Sequence, residues 1–163
     1  MIDYKEKVSV LFVCMGNICR SPTAEGVFRH VVEEAGLADR IKVDSAGTHA
    51  YHIGEPADRR ARAAAERRGI SLEGIAARRV RDEDFAGFDY IVAMDRLNHV
   101  TLVDQADAEH HDKIRLFLEY SAGREDDVPD PYYGGSAGFE RVLDLVEEAS
   151  RGLLETLRSR HSF

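Results

Sequence analysis

The sequence is poor in cysteine, with Cys14 and Cys19 the only two among 163 residues. Two thiols this close together cannot staple a small fold, so no disulfide framework is expected. Their spacing, with no histidine pair at ligand distance, also argues against a metal site. Long apolar runs are missing as well. The run near the N-terminus, Val8 to Val13, covers six residues, too few for a signal peptide or a membrane span; a cytoplasmic location is expected. Positive charge is in deficit, 22 Lys and Arg against 30 Asp and Glu, so neither nucleic acid nor a membrane surface is an expected partner. No repeat, low-complexity tract or linker divides the chain, so 1–163 is read as a single domain. The nucleotide-binding Gly-x-x-x-x-Gly-Lys pattern is absent too.

What is present alternates between two periodicities. Val8 to Val13 is a short, β-branched apolar run, suited to a strand buried on both faces. Ser21 as N-cap and Pro22 as first residue then open a helix, whose apolar stripe runs from Ala24 to Ala35 and stops at Gly36. Ile41 to Ala46 reads as a second strand. Pro56 is expected to open a helix that Gly69 closes. Tyr90 to Met94 reads as a third strand with Asp95 capping the next helix, and Lys113 to Leu118 as a fourth. From Ser136 onward a long amphipathic stripe reaches Leu157. This order predicts an α/β fold: a four-stranded parallel sheet with helices on both faces, a flavodoxin-like or Rossmann-like three-layer sandwich. Ligands in such folds bind beyond the carboxyl ends of the strands, where strand order reverses.

The loop "CMGNICR", Cys14 to Arg20, falls at that place. A loop running into a helix presents unpaired N–H groups and the positive end of the helix dipole. Gly16 and Asn17 tolerate left-handed backbone, which turns successive amides inward as an anion-binding nest. Arg20 adds a planar fork matched to phosphate oxygens. The same field favours a thiolate, so Cys14 is expected to be a nucleophile at the base of an oxyanion cradle. The alternative is a buried cysteine at a strand end beside a surface arginine.

The stretch "VLFVCMGNICRSPTAE" resembles the signature of the low-molecular-weight protein tyrosine phosphatases, and "VPDPYYGG", Val128 to Gly135, resembles their general-acid loop. "VDSAGT" at Val43 to Thr48 and "FDYIVAMD" at Phe88 to Asp95 match as well. The resemblance implies that Cys14 attacks phosphorus to form a phosphocysteine. It implies that Arg20 and the amides of Met15, Gly16, Asn17, Ile18 and Cys19 bind the phosphate. Asp130, restrained between Pro129 and Pro131, would act as general acid and then base. Asn17, Ser21 and Ser45 would support the loop, with Ser21 donating to the Cys14 sulfur. Ile18, Tyr51 and Tyr132 would line the slot for the substrate ring, and Cys19 could trap an oxidised Cys14 as a disulfide. The arginines of Arg59 to Arg68 and Arg78 to Arg81 read as solvated faces paired with Asp58 and Glu66.

Three rivals share parts of this pattern. A thioredoxin-coupled arsenate reductase needs cysteines beyond Cys19, and its equivalent region lacks an aspartate like Asp130. A protein-arginine phosphatase carries threonine where this chain has Ile18. A non-catalytic phosphopeptide module has no need of Cys14, Arg20 and Asp130 together. The expected activity is therefore hydrolysis of phosphotyrosine and aryl phosphates. Protein substrates are the partners, inorganic phosphate the product, no cofactor is needed, and a monomer is the expected form.

Overall fold

The computed structural model describes residues 7–131 and 135–163. Strand β1 (Val8–Cys14) is buried along its whole length because it lies inside a sheet. β2 (Ile41–Gly47) pairs with it in parallel on one side and β3 (Tyr90–Ala93) in parallel on the other. β4 (Ile114–Leu116) adds outside β3, giving the order β2-β1-β3-β4. The residues of β1 alternate between two cores. Val8, Val10, Phe12 and Cys14 pack with helices α1 (Arg20–Glu34), α2 (Arg59–Glu66) and α5 (Ser136–His161) on one face. Leu11 and Val13 pack with Phe85 of α3 (Asp82–Gly87) and Leu102 of α4 (Arg96–Gln105) on the other. The expected three-layer α/β sandwich, flavodoxin-like in its architecture, is therefore the observed fold. Phe12 anchors the first core, its ring 5.6 Å from Phe28 and 5.0 Å from Phe117; a buried ring of this kind is worth about 1.5–3 kcal/mol.

From β1 the chain moves outward to β2 and then crosses to β3 on the far side. Strand order thus reverses between β1 and β3, and Cys14 is the last residue of β1 at that point. The sheet itself selects where a ligand site belongs.

Several boundaries differ from expectation. Pro56 does not open α2: it forms an isolated antiparallel bridge with Ala76, and the helix starts behind Asp58, which accepts from the amides of Arg60 and Ala61. The fourth strand stops at Leu116, because Phe117 to Tyr120 turns into a 3-10 helix that packs against α5. The arginines are not simply solvated either. Arg68 bridges to Glu140, Asp144 and Glu147 of α5, and Arg78 holds Asp44 and Asp84. The Arg68 pairings and Arg78–Asp44 join elements far apart in sequence. Among the described residues no helix is long and apolar enough to cross a membrane.

Candidate active site

Between β1 and α1 the backbone closes on itself. The carbonyl oxygens of Cys14 and Met15 accept from the amides of Thr48 and His49, that of Ile18 from Asp58, and that of Cys19 from Thr23. All these donors lie outside the loop. In a trans peptide the following N–H points the opposite way, so the amides of Met15, Gly16, Cys19 and Arg20 turn to the inside. The Asn17 amide lies 3.3 Å from the Cys14 sulfur. The turn is made possible by Asn17, which takes a left-handed φ of 57°.

What stabilises that conformation is the Asn17 side chain, 1% exposed. Its Oδ1 accepts from the Arg78 amide at 3.0 Å, while Nδ2 donates to Ser45 at 3.0 Å and to Ser21 at 2.8 Å. Ser21 Oγ lies 3.0 Å from the Cys14 sulfur. Ser21 is therefore not the helix cap: the cap position of α1 is Cys19, with no side-chain cap bond. The Ser21 hydroxyl is instead engaged within this network. Gly47 is a further requirement that sequence reasoning passed over. A Cβ there would stand 2.8 Å from the Met15 oxygen and 3.2 Å from the Asn17 nitrogen, so only glycine lets β2 lie flush against the loop.

Arg20 enters from the first turn of α1, its side chain 4% exposed. Its guanidinium donates to Asp95 at 2.6 Å and to the Val128 carbonyl at 3.0 Å. Burial works against its charge, but Cys14, Asp95 and Asp130 outweigh burial and hold its pKa above the ordinary arginine value. Asp95 serves two purposes: Oδ1 caps α4 through the Asn98 amide, and Oδ2 holds Arg20. The cap was legible in the sequence; the clamp on Arg20, 75 residues away, was not. Asp130 follows two residues after Val128, its carboxylate 4.0 Å from Arg20 and 48% exposed. Just before it come Glu125, Asp126 and Asp127, of which Asp127 accepts from the Arg96 backbone and guanidinium.

These groups meet in a cavity of about 400 Å³. Its floor is Cys14, Met15, Gly16, Ile18, Cys19 and Arg20, and its rim is Tyr51, His52 and Asp130. Asn17, Ser21 and Ser45 lie behind the floor, in the hydrogen-bonded network. Tyr51, 66% exposed, stacks on His49 at 5.2 Å with rings nearly parallel. Tyr132 lies outside the described residues. His52, bonded to Glu55 at 2.9 Å, is a lining residue that sequence reasoning passed over; only its adjacency to Tyr51 points to it. Cys19 is buried with its thiol pushed up to about 12, first by burial and then by the charges of Asp58, Cys14 and Asp130.

Known proteins share this fold and much of this sequence. Residues 9–162 match the family model described as low molecular weight phosphotyrosine protein phosphatase. A low molecular weight protein-tyrosine-phosphatase of Streptomyces coelicolor is 47% identical over 154 residues, 91% of this chain and 93% of that one. The crystal structure of a protein tyrosine phosphatase from Entamoeba histolytica superposes with a TM-score of 0.92 at 41% identity, covering 94% of this chain and 99% of that one. Vibrio vulnificus Wzb, solved in complex with benzylphosphonate, superposes with a TM-score of 0.82 at 30% identity, covering 93% and 99% of the two chains.

Proposed function

The chain belongs to the low molecular weight phosphotyrosine protein phosphatase family, and we propose that it hydrolyses phosphotyrosine in protein substrates, and aryl phosphates generally, through a phosphocysteine. One observation carries this reading: Cys14, a loop whose carbonyls are bonded outward, a buried guanidinium and an exposed carboxyl meet at the same cavity. The benzylphosphonate bound by Wzb, a benzyl ring on a phosphonate, fits the same combination of anion cradle and aromatic rim.

Cys14 attacks phosphorus from the cavity floor while the loop amides and Arg20 hold the equatorial oxygens. Ser21 donates to the sulfur, which favours the thiolate and improves it as a leaving group. Asp130 gives its proton to the departing phenolate, then takes one from the water that attacks the phosphocysteine. Inorganic phosphate leaves. Ile18 from the floor and Tyr51 from the rim accept an aromatic ring, and the family pattern adds Tyr132 to that role. A cytoplasmic location belongs to this reading, since a reducing compartment keeps a nucleophilic thiol available. Under peroxide Cys14 is oxidised to the sulfenic acid, and Cys19 displaces water from it to form the disulfide.

A panel of phosphotyrosine, phosphoserine and phosphoarginine peptides, with arsenate reduction alongside, tests the assignment. Phosphotyrosine is hydrolysed with the highest kcat/KM. Preferred phosphoarginine cleavage, or turnover of arsenate with reductant, would transfer the same site to one of its rivals.

A further inference from the structure

Glu25 sits in the second turn of α1 and is 4% exposed, an expensive place for a carboxylate. Its Oε1 accepts from Ser45 Oγ at 2.6 Å and its Oε2 from Arg29 at 2.6 Å. The phosphatase reading gives it no task. Its position at the end of a hydrogen-bonded chain does.

Two groups in that chain have no choice of role. The Arg78 amide only donates, so the Asn17 atom it meets at 3.0 Å must be Oδ1, which turns Nδ2 toward Ser45 and Ser21. An ionised carboxylate only accepts, so the Ser45 proton must point to Glu25. With its proton committed, Ser45 Oγ can only accept from Asn17 Nδ2 at 3.0 Å. The second Nδ2 proton goes to Ser21 Oγ at 2.8 Å. Ser21 then receives there and is left to donate its own proton, either to the Cys14 sulfur at 3.0 Å or to the Ala46 carbonyl at 3.4 Å. The sulfur is nearer and, as a thiolate, the stronger acceptor.

We propose that Glu25 is a positioning residue: the acceptor-only end of a chain through Ser45, Asn17 and Ser21 that aims the Ser21 proton at the Cys14 sulfur. The proposal rests on the reading of Cys14 as nucleophile. Without the carboxylate, Ser45 can rotate its proton toward Asn17 Nδ2, and the Arg78 amide alone is left to hold Asn17 against that donor–donor contact, so the order along the chain is weakened. Glu25→Gln keeps the size of the side chain but lets the amide donate to Ser45, which reverses that link.

The test follows iodoacetamide alkylation of Cys14 across pH, located by mass spectrometry, because alkylation reads the thiolate whatever the substrate. The charged and titratable groups lining the cavity with the sulfur are Arg20, Asp130, Cys19, Tyr51 and His52. Those around the chain are Arg29 beside Glu25 and Arg78 with Asp44 and Asp84 behind Asn17; the variants leave all of them in place. Losing one hydrogen bond to the thiolate slows alkylation at neutral and acid pH roughly 2- to 12-fold. At alkaline pH the rates of Glu25→Gln and wild type converge, which a change in access to the sulfur would not produce. In a Ser45→Ala background Glu25→Gln adds nothing further, because the chain is already cut. Should Glu25→Gln fail to fold, Ser45→Ala alone must show the same slowing and the same convergence. Alkylation profiles identical to wild type in the folded variants overturn the role of Glu25. If alkylating Cys14 leaves turnover intact, the nucleophile reading fails first and takes this proposal with it.

Discussion

The floor of the cavity and its rim are built on opposite principles. On the floor, Cys14 and Arg20 are buried, the loop carbonyls are satisfied from outside, and Asn17 is fastened to β2 and to the Arg78 segment. On the rim, Tyr51 is 66% exposed and Asp130 48%, so both side chains face water. The difference separates two demands. Binding an oxyanion needs donors fixed before the substrate arrives, since reorganising them would cost part of the catalytic gain. Accepting a peptide side chain and releasing a product needs a wall that water can reach. Changes on the floor should therefore remove chemistry outright, whereas changes on the rim should grade it.

The largest effect belongs to the floor. Cys14→Ser is expected to abolish turnover while keeping the fold and phosphate-competitive binding, because amides and Arg20 supply the binding. Arg20→Lys should be nearly as damaging, since a point charge cannot span two oxygens and would also lose the hold of Asp95 and Val128. Steady-state kinetics with circular dichroism and phosphate titration read both. Appreciable phosphatase activity in Cys14→Ser would sink the covalent mechanism.

Asp130→Asn comes next and acts from the rim. Positioned proton transfer contributes roughly 10²–10⁴-fold, so substrates with poor leaving groups should lose about that much. Activated phenols should lose less in the first step, because their phenolates depart without a proton. Hydrolysis of the phosphocysteine still needs a base, so a burst with an activated substrate should become more persistent. Thermal stability should barely move, given the exposure of Asp130. An equal loss for all leaving groups would assign Asp130 a role in binding instead.

A redox comparison places Cys14 against its neighbour. The Cys19 thiol, held protonated up to about 12 by burial first and nearby negative charge second, is a poor attacking group at neutral pH. Its thiolate fraction grows roughly tenfold with each pH unit below that value, and disulfide closure on oxidised Cys14 should quicken accordingly. Wild type treated with peroxide should then regain activity with thiol reductant, more completely as the pH of oxidation rises toward about 9. Cys19→Ser should recover less at every pH. Equal recovery in the two proteins would leave Cys19 as a packing residue.

How much of this was readable in advance follows the range of the interactions. β1, β2 and β3, the helix after the loop, and the long α5 stripe were visible because period-2 and period-3.6 burial are local patterns. The placement of Cys14 at a reversal of strand order followed from the alternation of elements alone. Local rules failed where a distant partner won. Ser21 had every local reason to cap α1, yet its hydroxyl was taken by Asn17 and Cys14. Pro56 could have opened α2, but its segment pairs with Ala76. Arg68 and Arg78 looked solvated because Glu140 and Asp44 come near only after folding. The requirement for glycine at position 47 depends on two backbones meeting, which no single segment displays.

The smallest expected effect tests how the rim is tied down. Asp127 sits three residues before Asp130 and anchors that segment to the start of α4, accepting from the Arg96 amide at 2.9 Å and from its guanidinium at 3.3 Å. Burial opposes its charge, but the backbone and side-chain bonds from Arg96 outweigh burial and hold the Asp127 pKa below the ordinary 3.8. A carboxylate whose pKa is lower in the folded state than in the unfolded chain stabilises the fold above the unfolded value. That contribution is lost as pH falls through the lower, folded value. Asp127→Asn should therefore lower Tm slightly, by the same amount at about pH 7 and about pH 5, and the gap to wild type should close as pH drops below about 4. Both partners are largely in water, which keeps the effect small. Activity should fall no more than a few-fold, since the substituted amide can still accept from the Arg96 backbone and Asp130 keeps its flanking prolines. A loss as deep as that of Asp130→Asn, with the same dependence on leaving group, would move the proton-transfer role to Asp127 and dissolve the distinction between the anchor of the rim and its acid.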